Sequence, residues 1–118
     1  MSKLTQDKLN ELLTRTTRPN VSNADLTGTS LKGLSLKKAN LFKAILTGMD
    51  LTDTDLAGAY LYKTDLSNAN LQGVDLAGAD LTGADLSSAN LFQANLKDAI
   101  LKGANLKDTI MPDGTKRE

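Results

Sequence analysis

The chain has 118 residues, with 14 Lys and Arg against 14 Asp and Glu, and it contains no Cys, His or Trp. One domain is expected at this length, and the inventory excludes disulfides, thiol chemistry and His-based catalysis or metal binding. No apolar run approaches a membrane span and no signal-peptide core opens the chain, so a cytoplasmic location is expected unless a leader has been trimmed.

The first segment, residues 1–18, reads as a capping unit. Thr5 suits a helix N-cap, with Asp7 in the first turn. Leu4 before the cap and Leu9 one turn in suit a hydrophobic staple. Leu9, Leu12 and Leu13 form an apolar stripe, and Pro19 stops the helix, so a helix is predicted over residues 5–15.

From residue 19 to 111 a different rule takes over. Leucine stands at every fifth position: Leu26, Leu31, Leu36, Leu41, Leu46, Leu51, Leu56, Leu61, Leu66, Leu71, Leu76, Leu81, Leu86, Leu91, Leu96, Leu101 and Leu106. Val21 and Met111 continue the register at either end. In an α-helix, five residues turn about 500°, so successive leucines would drift by about 140° and cover every side. In a flat strand, side chains alternate, so an odd period would send successive leucines to opposite faces. The conflict disappears if the chain turns a corner once per repeat.

Each slot of the repeat agrees with that reading. Two places before the leucine, facing inward with it, stands Ala in eleven repeats, among them Ala39, Ala59 and Ala84. A small residue there fits a narrow interior filled by leucine. One place before the leucine, facing out, Asp or Asn dominates, and both suit turns. Two places after it, at the corner, Gly recurs. Corners of about 90° close a square winding in four repeats, with successive levels about 4.8 Å apart.

Stretches such as Ala69-Asn70-Leu71-Gln72-Gly73 and Ala84-Asp85-Leu86-Ser87-Ser88 resemble the pentapeptide-repeat family, whose pattern is A-(D/N)-L-x-x. The resemblance runs from Ala24 to Met111. It implies an all-β solenoid, a right-handed quadrilateral parallel β-helix with four pentapeptides per coil and about four to five coils. The ending Ile110-Met111-Pro112-Asp113-Gly114-Thr115 is similar to the closing segment of bacterial members, particularly cyanobacterial ones, so residues 112–118 are read as a terminal turn and tail.

Residues twenty apart should stack. Phe42 and Tyr62 then share one column, Lys43 and Lys63 the next, and Tyr60 and Ile100 a third on the same side. Such a gathering is either a partner surface or a stacked pair that stabilises neighbouring levels. Asp55 stacks on Asp75, and Asp65 on Asp85. Like charges at that spacing repel and are expected to raise one carboxyl of each pair. A divalent-cation site or an acidic rail imitating phosphates is weighed there against solvated carboxylates serving local turns.

No catalytic set is present, and a convex rod offers no cleft for paired acids. No cofactor or metal is expected. The reading is a non-enzymatic module that presents a rigid surface to a protein partner, with a monomer favoured and no nucleic acid or membrane involved. The alternative is a DNA mimic that binds a topoisomerase such as DNA gyrase, as some members of the resembled family do. Zero net charge and the short rod count against it.

Overall fold

In the computed structural model, residues 3–118 are described. Helix α1 spans Gln6–Arg15. Thr5 is its N-cap, in extended conformation, and its Oγ1 accepts a hydrogen bond from the Lys8 N–H at 3.2 Å. Asp7 in the first turn and Arg15 in the last both oppose the helix dipole's partial charges. Arg15 also pairs with Glu11 at 2.7 Å, one turn back. Leu9 is fully buried, while Leu12 and Leu13 pack partly buried against the same core.

Beyond the helix, the backbone winds in levels. Parallel bridges join residues twenty places apart: Asp25 to Ile45, Ile45 to Asp65, Asp65 to Asp85 and Asp85 to Asn105 run down one column. Three similar columns occupy the other sides, for example Asn40 to Tyr60 to Asp80 to Ile100. The strands reduce to one bridged residue per side because a turn follows every leucine. Bridged residues inside the winding are hydrogen-bonded to both neighbouring levels where the ladder is complete: Asp65 N–H donates to Ala44 O at 3.0 Å, and Leu46 N–H donates to Asp65 O at 2.8 Å.

Every corner has the same chemistry. The residue three places after each leucine donates its N–H to that leucine's carbonyl, as Ala69 does to Leu66 at 3.1 Å. The residue between, two places after the leucine, has positive φ throughout, whether it is Gly78 (φ 69) or Lys63 (φ 56). That combination is the signature of a type II turn. Glycine recurs at these corners because it adopts positive φ without strain. Ten non-glycine corners adopt the same left-handed conformation, among them Asn68, Ser88 and Gln93.

Leucine lines the interior from Leu26 to Leu91, fully buried or nearly so. Thr54, Thr64 and Thr109 replace the inward Ala and are also buried. Their hydroxyls donate to the carbonyls of Leu31, Leu41 and Leu86, Thr64 at 2.6 Å. Among the described residues no buried side-chain polar atom lacks a partner. The last members of the leucine ladder depart from expectation. Leu96, Leu101 and Leu106 are only partly buried, because no further level lies over them.

Both ends carry specific contacts. Lys3 bridges Asp25, Leu4 N–H donates to Asp25 O at 2.8 Å, and the Gln6 side-chain amide exchanges two hydrogen bonds with the Ser30 backbone. At the other end the chain reverses at Pro112–Thr115, and Ile110 bridges Lys116 antiparallel.

Candidate functional site

The repeat rule itself shows where the surface is unusual. At the outward position before the leucine, an Asp or Asn oxygen accepts the N–H two residues on. Asp65 Oδ1 does so from Ser67 N at 3.0 Å, and Asn40 Oδ1 from Phe42 N at 3.0 Å. Ile45, Tyr60, Ile100 and Ile110 stand at that position and can offer no such acceptor, and of these Tyr60 and Ile100 are the exposed ones. Each gives up a turn hydrogen bond worth about 1 kcal/mol and leaves an apolar side chain in water: Tyr60 is 41% exposed and Ile100 49%.

Around Tyr60 the winding assembles an aromatic cluster. Phe42 and Tyr62 occupy the first corner position on successive levels, so their rings stack with centroids 5.6 Å apart and planes at 22°. Tyr60 lies against both, 6.4 Å from Phe42 and 6.0 Å from Tyr62. Lys43 reaches back over the Phe42 ring, with Nζ 5.3 Å from its centroid, and Lys63 does the same over Tyr62 at 5.4 Å. The Lys63 stem lies along the next level, where Gly83 leaves room: a Cβ there would sit 3.3 Å from Lys63 Cγ. Phe42 and Tyr62 are half-buried rather than fully exposed, because each shields the other.

Phe42, Lys43, Tyr60, Tyr62 and Lys63 therefore form one contiguous group. Ile100 shares the Tyr60 column but is separated from it by Asp80, so it forms a second apolar point rather than part of the cluster. Phe92, the remaining aromatic, stands on another side, 37% exposed and close to Gly114 of the closing turn.

Local hydrogen bonds dominate the environment of Asp65. Asp65 bridges Asp85, as expected, yet its carboxyl is held below the ordinary range. Burial pushes it upward, but hydrogen bonds from the Ser67 hydroxyl, the Ser67 N–H and the Thr47 hydroxyl outweigh that. The motif was legible in sequence as Asp-x-Ser/Thr. It recurs as Asp25 with Thr27 and Asp50 with Thr52, where the threonine hydroxyl is the main cause of a lowered carboxyl. These acids serve their own turns.

The family model for pentapeptide repeats matches in eight copies, over residues 20–58, 35–73, 50–87 and 69–108. No curated protein sequence matches the chain significantly. Among solved structures, the chain is similar to the pentapeptide repeat protein Rfr23 of the cyanobacterium Cyanothece 51142. Identity is 37% and the TM-score 0.50, over 80% of this chain and 61% of that one. It is also similar to a pentapeptide repeat protein of the Arabidopsis thaliana thylakoid lumen, at 32% identity and TM-score 0.54, over 84% of this chain and 69% of that one. QnrB1, a plasmid-mediated fluoroquinolone resistance protein, is matched at 18% identity with a TM-score of 0.43, too remote for any functional reading. The chain spans about three fifths of the length of the first of these structures. With the leucine register, the uniform corners and the family match over the same residues, the chain belongs to the pentapeptide-repeat family.

Proposed function

We propose that this chain is a non-catalytic protein-interaction module whose partner surface is centred on Phe42, Tyr60 and Tyr62. The observation that carries the reading is Tyr60. It stands at an outward position that most repeats fill with a turn-capping Asp or Asn, and of the apolar residues at that position it is the one with two further rings and two lysines around it. Local rules broken in favour of an exposed apolar group mark function more often than stability. Rings are effective interface anchors because they supply large contact area with few rotatable bonds.

The architecture we assign to support this surface is a right-handed quadrilateral β-helix over residues 19–111, with four pentapeptides per coil and four to five coils. Residues 1–18 act as the cap of the first coil, and residues 112–118 close the last. The cap reading rests on buried Leu9 and on the pairing of Lys3, Leu4 and Gln6 with the first level. No described helix is long and apolar enough to cross a membrane. We assign the module to the cytoplasm as a monomer.

The test uses Tyr60→Asp. This variant restores the repeat's own residue, so the fold is retained while the anchor is lost. Wild-type and variant chains, immobilised in parallel, are exposed to an extract of the native cell. Loss of a specifically captured protein with Tyr60→Asp, and with Phe42→Ala plus Tyr62→Ala, is the expected result. Recovery of the same proteins by all three chains refutes the surface. A gyrase-directed reading would instead require a salt-sensitive complex with purified gyrase that survives Tyr60→Asp.

A further inference from the structure

We propose that the cleft between the segment leaving α1 and the side carrying Ser35 binds a small phosphorylated anion. The proposal is independent of the aromatic surface. The cleft is open to solvent and measures about 490 Å³, with its polar lining residues exposed. Its lining brings together Arg18, Lys37 and Lys38 with the hydroxyls of Thr16, Thr17 and Ser35, and it includes no carboxylate. Leu13 of α1 supplies an apolar wall.

Backbone hydrogen bonds set the path of the segments that carry these exposed cations. Arg18 N–H donates to Thr16 Oγ1 at 3.1 Å, and the next residue, Pro19, is buried and accepts from Asn40 N–H at 2.9 Å. The path of the linker past the winding is thereby set. Lys38 sits on a left-handed corner (φ 59) at the margin of the cleft, and its stem runs toward the next level over Gly58, where a Cβ would meet Lys38 Cγ at 3.2 Å. Lys37 is its neighbour, with its N–H 3.3 Å from Ser35 Oγ.

Among the described residues Arg18, Lys37 and Lys38 form no ion pair, and the one ion pair is Arg15 with Glu11. The stretch 26–43 holds Lys32, Lys37, Lys38 and Lys43 and no acid. Arg18 and Lys37 line one cleft with Lys38 at its margin, and an anion with two or more negative charges offsets the repulsion among them. A guanidinium offers a planar fork to phosphate oxygens, while ammonium groups act as mobile point charges beside it. Hydroxyls complete the set as donors.

The surroundings limit the size of the ligand. Asp55 follows Ser35 on the next level, and Asp75 follows Asp55. Asp55 is engaged on its own turn by the Ala57 N–H at 3.0 Å. A polyanion or membrane surface extending along that side would meet these carboxylates. A compact phosphorylated molecule seated against Arg18 and Lys37 would not.

The probe is pyrophosphate, titrated into the full chain in chloride buffer and followed by amide NMR shifts and calorimetry. Saturable binding is expected, with shifts concentrated at Thr16–Arg18 and Ser35–Lys38. Arg18→Gln with Lys37→Gln should weaken it by about tenfold or more, equivalent to about 1.4 kcal/mol. Lys102→Gln with Lys107→Gln, which removes two cations away from the cleft, should leave it unchanged. Thermal unfolding checks each variant, and Lys37→Gln alone, expected to weaken binding several-fold, serves if the double variant is unstable. Absence of saturable shifts, or equal weakening by both pairs, overturns the site. So does binding to phosphatidic acid vesicles that pyrophosphate fails to displace, since that assigns the cations to a lipid surface.

Discussion

The carboxylate of Asp65 accepts two hydrogen bonds from a single residue, Ser67: one from its N–H at 3.0 Å and one from its Oγ at 2.6 Å. Burial raises the Asp65 carboxyl, but these two bonds, with the Thr47 hydroxyl, bring it below its ordinary value of 3.8. A carboxyl lowered in the folded state contributes stability that is fully present above the unfolded value, and that stability is lost as pH falls through the folded one. Ser67→Ala should therefore move the Asp65 carboxyl upward and shrink its contribution at neutral pH, leaving less to lose on acidification. Carboxyl-carbon NMR titration of Asp65 in both chains checks this. An unmoved titration would mean that the Ser67 hydroxyl is not what stabilises the charge.

Core leucines should divide into two groups. Leu66 and Leu71 are fully buried between levels, so Leu66→Ala or Leu71→Ala should cost about 2–5 kcal/mol through lost burial and the cavity left behind. Leu101 is only partly buried at the last level, and Leu101→Ala should cost less than half as much, since the site already touches water. Urea unfolding of the three variants is the measurement. Equal costs would show that the last level is as closed as the middle.

Corners offer a cleaner substitution. Gly78 has φ 69, and a Cβ built there meets nothing within 4 Å, so Gly78→Ala tests the conformation alone. It should destabilise by about 1–2 kcal/mol, the cost of a left-handed L-residue. Gln93 already bears that cost at φ 64, and Gln93→Gly should stabilise by about 0.5–1 kcal/mol after the entropy of glycine is offset. Denaturant midpoints of opposite sign are the expected outcome.

The winding was legible because one spacing governs it: a leucine every fifth residue leaves neither a helix nor a flat strand as a solution. The stacking of Phe42 on Tyr62 and of Asp65 on Asp85 followed from the same arithmetic. Two features did not. The charge column alone says only that one carboxyl of a stacked pair is raised, and it does not show that hydrogen bonds from Ser67, two residues along the chain, help hold Asp65 low. The Arg18–Lys37–Lys38 cleft depends on the path of residues 16–19, which no period governs. Ile100 shares a side with Tyr60, but sharing a side is not contact, and Asp80 stands between them.

The start of the winding should depend on α1. Leu9→Ala should cost about 2–5 kcal/mol, like a mid-ladder leucine, because Leu9 belongs to the same buried cluster. Deleting residues 1–18 should do more. It removes the Lys3 bridge to Asp25 and the Gln6 amide from Ser30, and so exposes an unpaired backbone edge. Light scattering should then show association of the truncated chain. A truncated chain that stays monomeric with unchanged unfolding would refute the capping role.

Phe42 and Tyr62 can be weighed against each other directly. Their rings stack at 5.6 Å across neighbouring levels, and each carries its own lysine overhead. If the pair mainly ties levels together, a double-mutant cycle of Phe42→Ala and Tyr62→Ala should return a coupling of about 0.5–1.5 kcal/mol in folding stability. Tyr60 complicates the cycle, since it contacts both rings and closes over either gap. The cycle should therefore be repeated in Tyr60→Asp, where that compensation is gone, and the coupling should be larger. Thermal or urea unfolding supplies the eight stabilities required. A coupling near zero in both backgrounds would leave the stack without a folding role. The half-buried rings would then stand as a cost to the isolated chain that only a bound partner offsets.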